Sequence, residues 1–354
     1  MIEMFTDAAT EEMYQKLKGL LADTMPDFEL RLKAELAVKI NRVKVQKNAV
    51  ILGHNYMEPA LFHSIPDFVG DSLELSRKAA ETDKDIIVFC GVKFMAETAK
   101  ILNPTKKVLI PSEKAGCSLA ASITAEDVRE LKRRFPGVPV VTYINTYADV
   151  KAETDICCTS SNAVDVVNSL KTDRVIFIPD EYLAGNVARE TGKHIIYPTR
   201  EPRRQYPDDL DYQMIGWPGR CEVHEKFSVE DIQNVRKQFP DVVILAHPEC
   251  SPEVVAASDY SGSTTAMIRY VEKTRAPRYL LLTECSMGDN IAAANPDKEM
   301  LRLCSVRCPH MNQITLEDTL ESLRKEQFEI FIDEDIRRRA LHAVERMLEI
   351  GRED

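Results

Sequence analysis

The sequence predicts an α/β protein built from three consecutive related units, each a parallel sheet between helices in a three-layer αβα arrangement. Three observations predict it. Short apolar runs that read as buried strands alternate with helix-period segments along most of the chain. Cys117, Cys221 and Cys308 are each followed, seven residues later, by a helix-start signal: Thr124-Ala125-Glu126-Asp127, Ser228-Val229-Glu230-Asp231 and Thr315-Leu316-Glu317-Asp318. One match carries no weight, but three copies of the same [ST]-x-E-D tetrad indicate an internal repeat of about a hundred residues. Finally, the first strand of each unit ends in a related polar word: Gly53-His54-Asn55-Tyr56, Thr142-Tyr143-Ile144-Asn145 and Ala246-His247-Pro248-Glu249.

Residues 1–26 read as a weakly ordered or peripheral helical start, broken at Pro26. Residues 28–47 have helical periodicity and lead into Ala49-Val50-Ile51-Leu52. Nine strands are expected, in three sets of three: near 49–53, 86–90 and 107–110; 138–144, 174–178 and 194–197; 242–246, 279–283 and 302–306. The third strand of each set should run into one of the repeated cysteines. Helical patterns follow the second strands at 95–102, 183–189 and around Ile291. Ser72, Ser160 and Thr264 lie 17 or 18 residues beyond His54, Tyr143 and His247, at expected helix starts. Unit borders drawn at the cysteines give 1–117, 118–221 and 222–308, with helices in 309–354 packing back on the first unit.

Composition narrows the function classes. Of 354 residues, 44% are hydrophobic and 29% charged, as in ordinary globular proteins. The net charge of −11 is spread along the chain, so no basic footprint for nucleic acid exists. No apolar run approaches the roughly 20 residues of a membrane span, and the first residues do not read as a secretory signal. Nine cysteines in such a chain argue for thiols in a reducing, cytoplasmic compartment rather than a disulfide framework. About half of them are expected to be buried hydrophobes.

In open α/β sheets ligands bind beyond the carboxyl ends of strands, where the His54, Tyr143 and His247 words and the cysteine loops should lie. Three units about a pseudo-threefold axis would gather three thiolates within a ring of His, Tyr, Asn, Glu, Ser and Thr. Soft thiolates select an iron–sulfur cluster, zinc or Cu(I). Spacings of 104 and 87 residues between the cysteines favour a catalytic cluster over a structural zinc site. Cys221-x-x-His224 keeps a zinc-dependent hydrolase or lyase open. An iron–sulfur sensor on the same shell is the non-enzymatic alternative. Cys304 and Cys308 are both candidates for the third ligand.

Several stretches resemble the quinolinate synthase (NadA-type) family: His54-Asn55-Tyr56-Met57, Gly70-Asp71-Ser72, Gly91-Val92-Lys93-Phe94-Met95-Ala96-Glu97-Thr98-Ala99, Gly116-Cys117-Ser118-Leu119-Ala120, Tyr143-Ile144-Asn145-Thr146 and Cys157-Cys158-Thr159-Ser160-Ser161-Asn162-Ala163. So do Pro218-Gly219-Arg220-Cys221-Glu222-Val223-His224, His247-Pro248-Glu249-Cys250, Gly262-Ser263-Thr264 and Cys308-Pro309-His310-Met311. The resemblance runs from about Ile51 to Leu320.

It implies three pseudo-equivalent α/β domains around one central [4Fe-4S] cluster, ligated by Cys117, Cys221 and Cys308. Cys308 is preferred over Cys304 because it precedes Pro309, as in the family, and keeps the seven-residue spacing. The implied reaction condenses iminosuccinate (iminoaspartate) with dihydroxyacetone phosphate to quinolinate, releasing phosphate and water, in NAD biosynthesis. Implied substrate-binding residues are His54, Ser72, Tyr143, Ile144, Asn145, Ser160, His247, Pro248, Glu249 and Thr264. Tyr56, Glu249 and His247 are the implied catalytic groups. An L-aspartate oxidase or dehydrogenase would supply the imine.

Overall fold

The computed structural model describes residues 8–198, 211–302 and 306–350. They fall into two compact units, Met1–Ala115 with Glu284–Ile330, and Gly116–Thr283 with Phe331–Asp354.

The first unit is built on a parallel sheet of β1 (Ala49–His54), β2 (Phe68–Gly70), β3 (Ile86–Cys90) and β4 (Lys107–Leu109), in the order β2-β1-β3-β4. All six residues of β1 are buried, as expected of a central strand covered on both faces. The helix Asp27–Gln46 lies against the helices Ala8–Leu21 and Leu316–Lys325. The expected peripheral start is therefore corrected: Tyr14, Leu17 and Leu21 form a buried stripe on the helix Ala8–Leu21.

The second unit holds two parallel sheets. One contains β5 (Val140–Tyr143), β6 (Ile156–Cys158), β7 (Val175–Ile178), β8 (Ile195–Ile196) and β9 (Met214–Ile215), ordered β6-β5-β7-β9-β8. The other carries β10 (Val242–Ala246), β11 (Tyr260–Ser261) and β12 (Arg278–Leu282) in the order β11-β10-β12. β13 (Glu299–Leu301) belongs to the first unit. The fold is thus α/β, with three parallel sheets flanked by helices.

Two features depart from the expected strands. The strand that pairs with β7 and leads to Cys221 is β9, while the run near 194–197 supplies only the edge strand β8. Two residues ahead of Gly216-Trp217-Pro218 are too few to show a strand pattern. Each sheet also gains a short edge strand, β2, β6 or β11, beside the carboxyl half of its first strand: Gly70 pairs with His54, Cys158 with Tyr143 and Ser261 with Ala246. An aspartate fixes each edge. Asp67, Asp155 and Asp259 accept the backbone N–H of Ile51, Val140 and Ile244 at 2.8 Å. Their own N–H groups donate back to the same residues' carbonyls. Each such charge-assisted bond is worth about 1.5–3 kcal/mol. Of the expected strand near 302–306, residues 303–305, including Cys304, lie outside the described residues.

Of the tail beyond residue 309, Leu316–Lys325 lies on Asp27–Gln46, and Glu334–Glu349 lies on β6 and the helix Ala148–Lys151. The latter buries Ala340, Ala343, Val344 and Met347, and Asn162 Nδ2 donates to the carbonyls of Met347 (3.2 Å) and Ile350 (2.6 Å).

Candidate active site and cysteine loops

The repeated cysteines occupy one local structure three times. The carbonyl of each accepts the N–H four residues on: Ala121 to Cys117 (3.0 Å), Glu225 to Cys221 (3.0 Å) and Asn312 to Cys308 (3.1 Å). A 3₁₀ turn follows in each case: Ala120–Ser122, His224–Lys226 and Met311–Gln313. Then comes the capped helix. Thr124, Ser228 and Thr315 accept the N–H of Asp127, Asp231 and Asp318, opening helices of ten residues.

The approach to each cysteine is also shared. The carbonyl two residues before it accepts an N–H from the start of the helix after the second strand: Lys93 to Ala115 (2.8 Å), Glu181 to Gly219 (2.7 Å) and Cys285 to Val306 (3.0 Å). At Gly219 the fit is close enough to exclude a side chain, since a Cβ would lie 2.5 Å from the Pro179 carbonyl. None of the described cysteines is in a disulfide. Cys90, Cys157, Cys158 and Cys250 are buried, whereas Cys117, Cys221 and Cys308 are partly exposed, as is Cys285. Burial pushes the Cys90 and Cys157 thiols up to about 12, so these are inert packing groups.

The first-strand words also share a turn. His54 Nδ1 accepts the N–H of Tyr56 at 3.2 Å, and His247 Nδ1 accepts that of Glu249 at 3.3 Å. In the first unit the His54 and Tyr56 rings meet edge to face at 4.7 Å.

The second unit gathers most of the remaining candidates around Glu249. Its Oε1 accepts from Tyr143 O–H at 2.6 Å and from Asn145 Nδ2 at 3.2 Å, and its Oε2 lies 2.6 Å from His224 Nδ1. His224 Nε2 is 3.0 Å from Thr283 Oγ1, and its ring stacks on His247 at 4.6 Å. His247 Nε2 is in turn 3.3 Å from Ser160 Oγ. Burial alone would raise the Glu249 carboxyl. His224, His247 and the Tyr143 hydroxyl outweigh it and hold the group well below the usual carboxylate range. The Cys221 thiol is pushed well above its ordinary value by desolvation, then by the Glu249 carboxylate and by Cys117. Ligand atoms of Cys221, His224 and Glu249 all lie within 4.8 Å of one another.

The hydroxyl positions are refined. Ser72 and Thr264 each open a helix, but Asp71 and Ser263 before them do the capping. Ser160 sits in the turn before the helix Ala163–Ser169, whose cap position is Asn162. Pro248 and Ile144 contribute main chain within their loops. Four residues near the site went unnoticed in the sequence: His224 as a buried partner of Glu249, Thr283 behind it, and the carboxyls of Asp180 and Glu284. Both carboxyls are buried at the cap of the helix after the second strand. Asp180 is raised well above its usual value by desolvation and then by Glu249. Glu284 rises to about 7 by desolvation, although backbone N–H groups of Ser286 and Cys308 and the Arg307 charge pull the other way. The available signal was positional: Pro179-Asp180 and Thr283-Glu284 stand at the same place after their strands.

The profile of the quinolinate synthetase A (NadA) protein family matches residues 38–349. The chain belongs to this family. A quinolinate synthase 2 from Mesorhizobium japonicum is 54% identical over 308 residues, covering 87% of this chain and 89% of the relative. The Caulobacter vibrioides quinolinate synthase is 49% identical over 348 residues, 97% of this chain and 88% of its own length. That of Xylella fastidiosa is 52% identical over 311 residues, covering 88% and 86%. Quinolinate synthases are iron–sulfur-dependent enzymes of NAD biosynthesis that act on small molecules. Among the described residues, no helix is long and apolar enough to cross a membrane.

Proposed function

We propose that this quinolinate synthase family member condenses iminosuccinate with dihydroxyacetone phosphate, and that Cys117, Cys221 and Cys308 hold one [4Fe-4S] cluster per chain. The observation that carries the reading is the threefold identity of the cysteine turn, with the same carbonyl contact before each thiol and the same capped helix after it. The donor set fits the group. Each cysteine stands at the same place in its turn, and Cys117 Sγ accepts the Ala120 N–H at 3.5 Å, as cluster sulfurs do. Desolvation, then Glu249 and Cys117, disfavour a Cys221 thiolate, and a bound cationic centre would reverse that balance. Such a cluster, with one iron free of protein ligands, supplies Lewis acidity to a substrate hydroxyl or carboxylate.

The remaining work falls to side chains. Both substrates are anions while the chain is acidic, so binding is local, through the hydroxyls of Ser72, Ser160 and Thr264, through His54 and His247, and through Tyr143 and Asn145. Ile144 and Pro248 shape the loops between them. Glu249 accepts and returns protons during imine formation and dehydration, with Tyr56 and His247 as its counterparts. Tyr143, Asn145 and His224 fix the orientation of its carboxylate. An L-aspartate oxidase or dehydrogenase would deliver the imine in the cytoplasm. The chain divides at its cysteines into units 1–117, 118–221 and 222–308, completed by 309–354.

The test is anaerobic incubation with iminosuccinate and dihydroxyacetone phosphate, with quinolinate followed by mass; no product from cluster-loaded protein refutes the reading. A second reading, a mononuclear zinc site for a hydrolase or lyase, is favoured by the proximity of Cys221, His224 and Glu249. Stoichiometric zinc without sulfide would select it.

A further inference from the structure

We infer that Lys151, Asn186 and Asn290 are positioning residues, one for each of the three loops that carry the candidate site. In every loop, the same two backbone carbonyls are held by one buried side-chain nitrogen. Asn290 Nδ2 donates to the carbonyls of Asn55 (3.2 Å) and Met57 (2.9 Å), in the loop of His54 and Tyr56. Asn186 Nδ2 donates to those of Pro248 and Cys250, both at 2.9 Å, in the loop of His247 and Glu249. Lys151 Nζ donates to those of Ile144 (2.9 Å) and Thr146, in the loop of Tyr143 and Asn145. The carbonyls are always the first and third after the His54, Tyr143 or His247 position.

The three clamps are buried, at 0% exposure for Lys151, 2% for Asn186 and 3% for Asn290. Asn186 and Asn290 are equivalent, each standing six residues after the cap of the helix that follows a second strand. The corresponding residue of the first such helix is Thr98, whose hydroxyl donates to Phe94 on its own helix. The second loop is clamped instead by Lys151, from the short helix just after it. Different side chains on different elements thus meet one requirement.

Packing does not explain the choice. Among the described residues, Oδ1 of both Asn186 and Asn290 is buried without a hydrogen-bond partner. A polar oxygen left unpaired is a cost that a leucine of similar volume would avoid. What the amide offers is two N–H donors aimed at two carbonyls; turned over, it would set an oxygen against both. Holding those carbonyls fixes the backbone between them, and with it the direction of Tyr56, Asn145 and Glu249.

This inference rests on the reading of these loops as the site, and its test separates the two. Asn186→Leu and Asn186→Ala are compared with wild type in cluster-loaded protein, as are the same pair at Asn290. A packing role predicts that leucine, which fills the space, is tolerated better than alanine. A donor role predicts the reverse, because the space left by alanine admits water to the carbonyls. The expected result is a kcat/KM for quinolinate formation lowered about tenfold or more by leucine and less by alanine. Amide hydrogen exchange across residues 247–250, which needs no turnover, should be faster in Asn186→Leu than in Asn186→Ala. Leucine equal to or better than alanine in exchange, or both variants within about twofold of wild type in kcat/KM, overturns the clamp. If leucine prevents folding, Asn186→Ala decides alone: exchange at the wild-type rate overturns the inference. Wild-type protein that makes no quinolinate defeats the functional reading and leaves the exchange comparison to decide the clamp.

Discussion

Replacing Glu249 with glutamine should abolish turnover while leaving the fold nearly intact, because the neighbours of Glu249 can satisfy an amide as well as a carboxylate. The glutamine oxygen can accept from Tyr143 and Asn145, the two donors that Oε1 accepts from now. Its NH₂ then faces His224 Nδ1, which becomes an acceptor if the ring proton moves to Nε2, beside Thr283 Oγ1. No buried partner is orphaned. What is lost is charge on two hydrogen bonds and on the close contact with His224, so the stability cost should stay within about 1–3 kcal/mol. Catalysis is affected far more. A positioned acid–base group contributes about 10²–10⁴-fold, or roughly 3–5 kcal/mol of barrier. The assay is anaerobic quinolinate formation by cluster-loaded Glu249→Gln protein, with iron, sulfide and thermal unfolding as controls. Turnover within about fivefold of wild type, with the cluster present, would show that Glu249 is not the proton-transfer group.

Other expectations follow from the same contacts. Cys221→Ser should lose cluster and activity together, whereas Cys157→Ser and Cys158→Ser, on the buried strand β6, should keep both; iron and sulfide content of the purified variants decides. Tyr143→Phe removes the 2.6 Å donor to Glu249 and should raise that carboxyl. Direct titration of the Glu249 carboxyl in the variant and in wild type checks it, and a carboxyl that titrates no higher in the variant refutes the coupling. Glu284→Gln tests a buried acid. Its folded value of about 7 lies above the ordinary 4.5, so the folded state retains a proton that the unfolded chain releases. Wild type therefore loses stability relative to the variant as pH rises from about 4.5 to 7, by up to about 3 kcal/mol. Denaturant unfolding at pH 5 and pH 8 should show the variant gaining on wild type at the higher pH, and a constant difference would contradict the shift.

The repeat was readable because its chemistry is written in residue type. A capping hydroxyl followed three residues later by aspartate is common at helix starts, but Thr124, Ser228 and Thr315 each stand seven residues after a cysteine, and that recurrence fixes the frame. The long central strands were readable for the same reason, since burial on both faces demands unbroken apolar runs such as Val50-Ile51-Leu52. The edge strands β2, β6 and β11 were not, because two or three residues carry no periodicity. Their signal is a single aspartate before each, Asp67, Asp155 or Asp259, and an isolated aspartate looks like any loop residue until its backbone partner is known. β9 was hidden in the same way, as two residues directly ahead of Gly216-Trp217-Pro218. Asn186, Asn290 and Lys151 read as ordinary polar residues of helices. They become recognisable only when three loops are compared atom by atom. Glu249 stands out through the family motif His247-Pro248-Glu249, but its partner His224 reads in the sequence only as a possible zinc ligand, since nothing in Cys221-x-x-His224 tells which way a ring will face.

Metal and sulfide analysis of the anaerobically purified chain, alongside Cys117→Ser, Cys221→Ser and Cys308→Ser, tests the central claim most directly. The account predicts about four irons and as many sulfides per wild-type chain, and loss of that content in each of the three variants. Zinc in place of iron, or full iron and sulfide content in any one of the three, would contradict it.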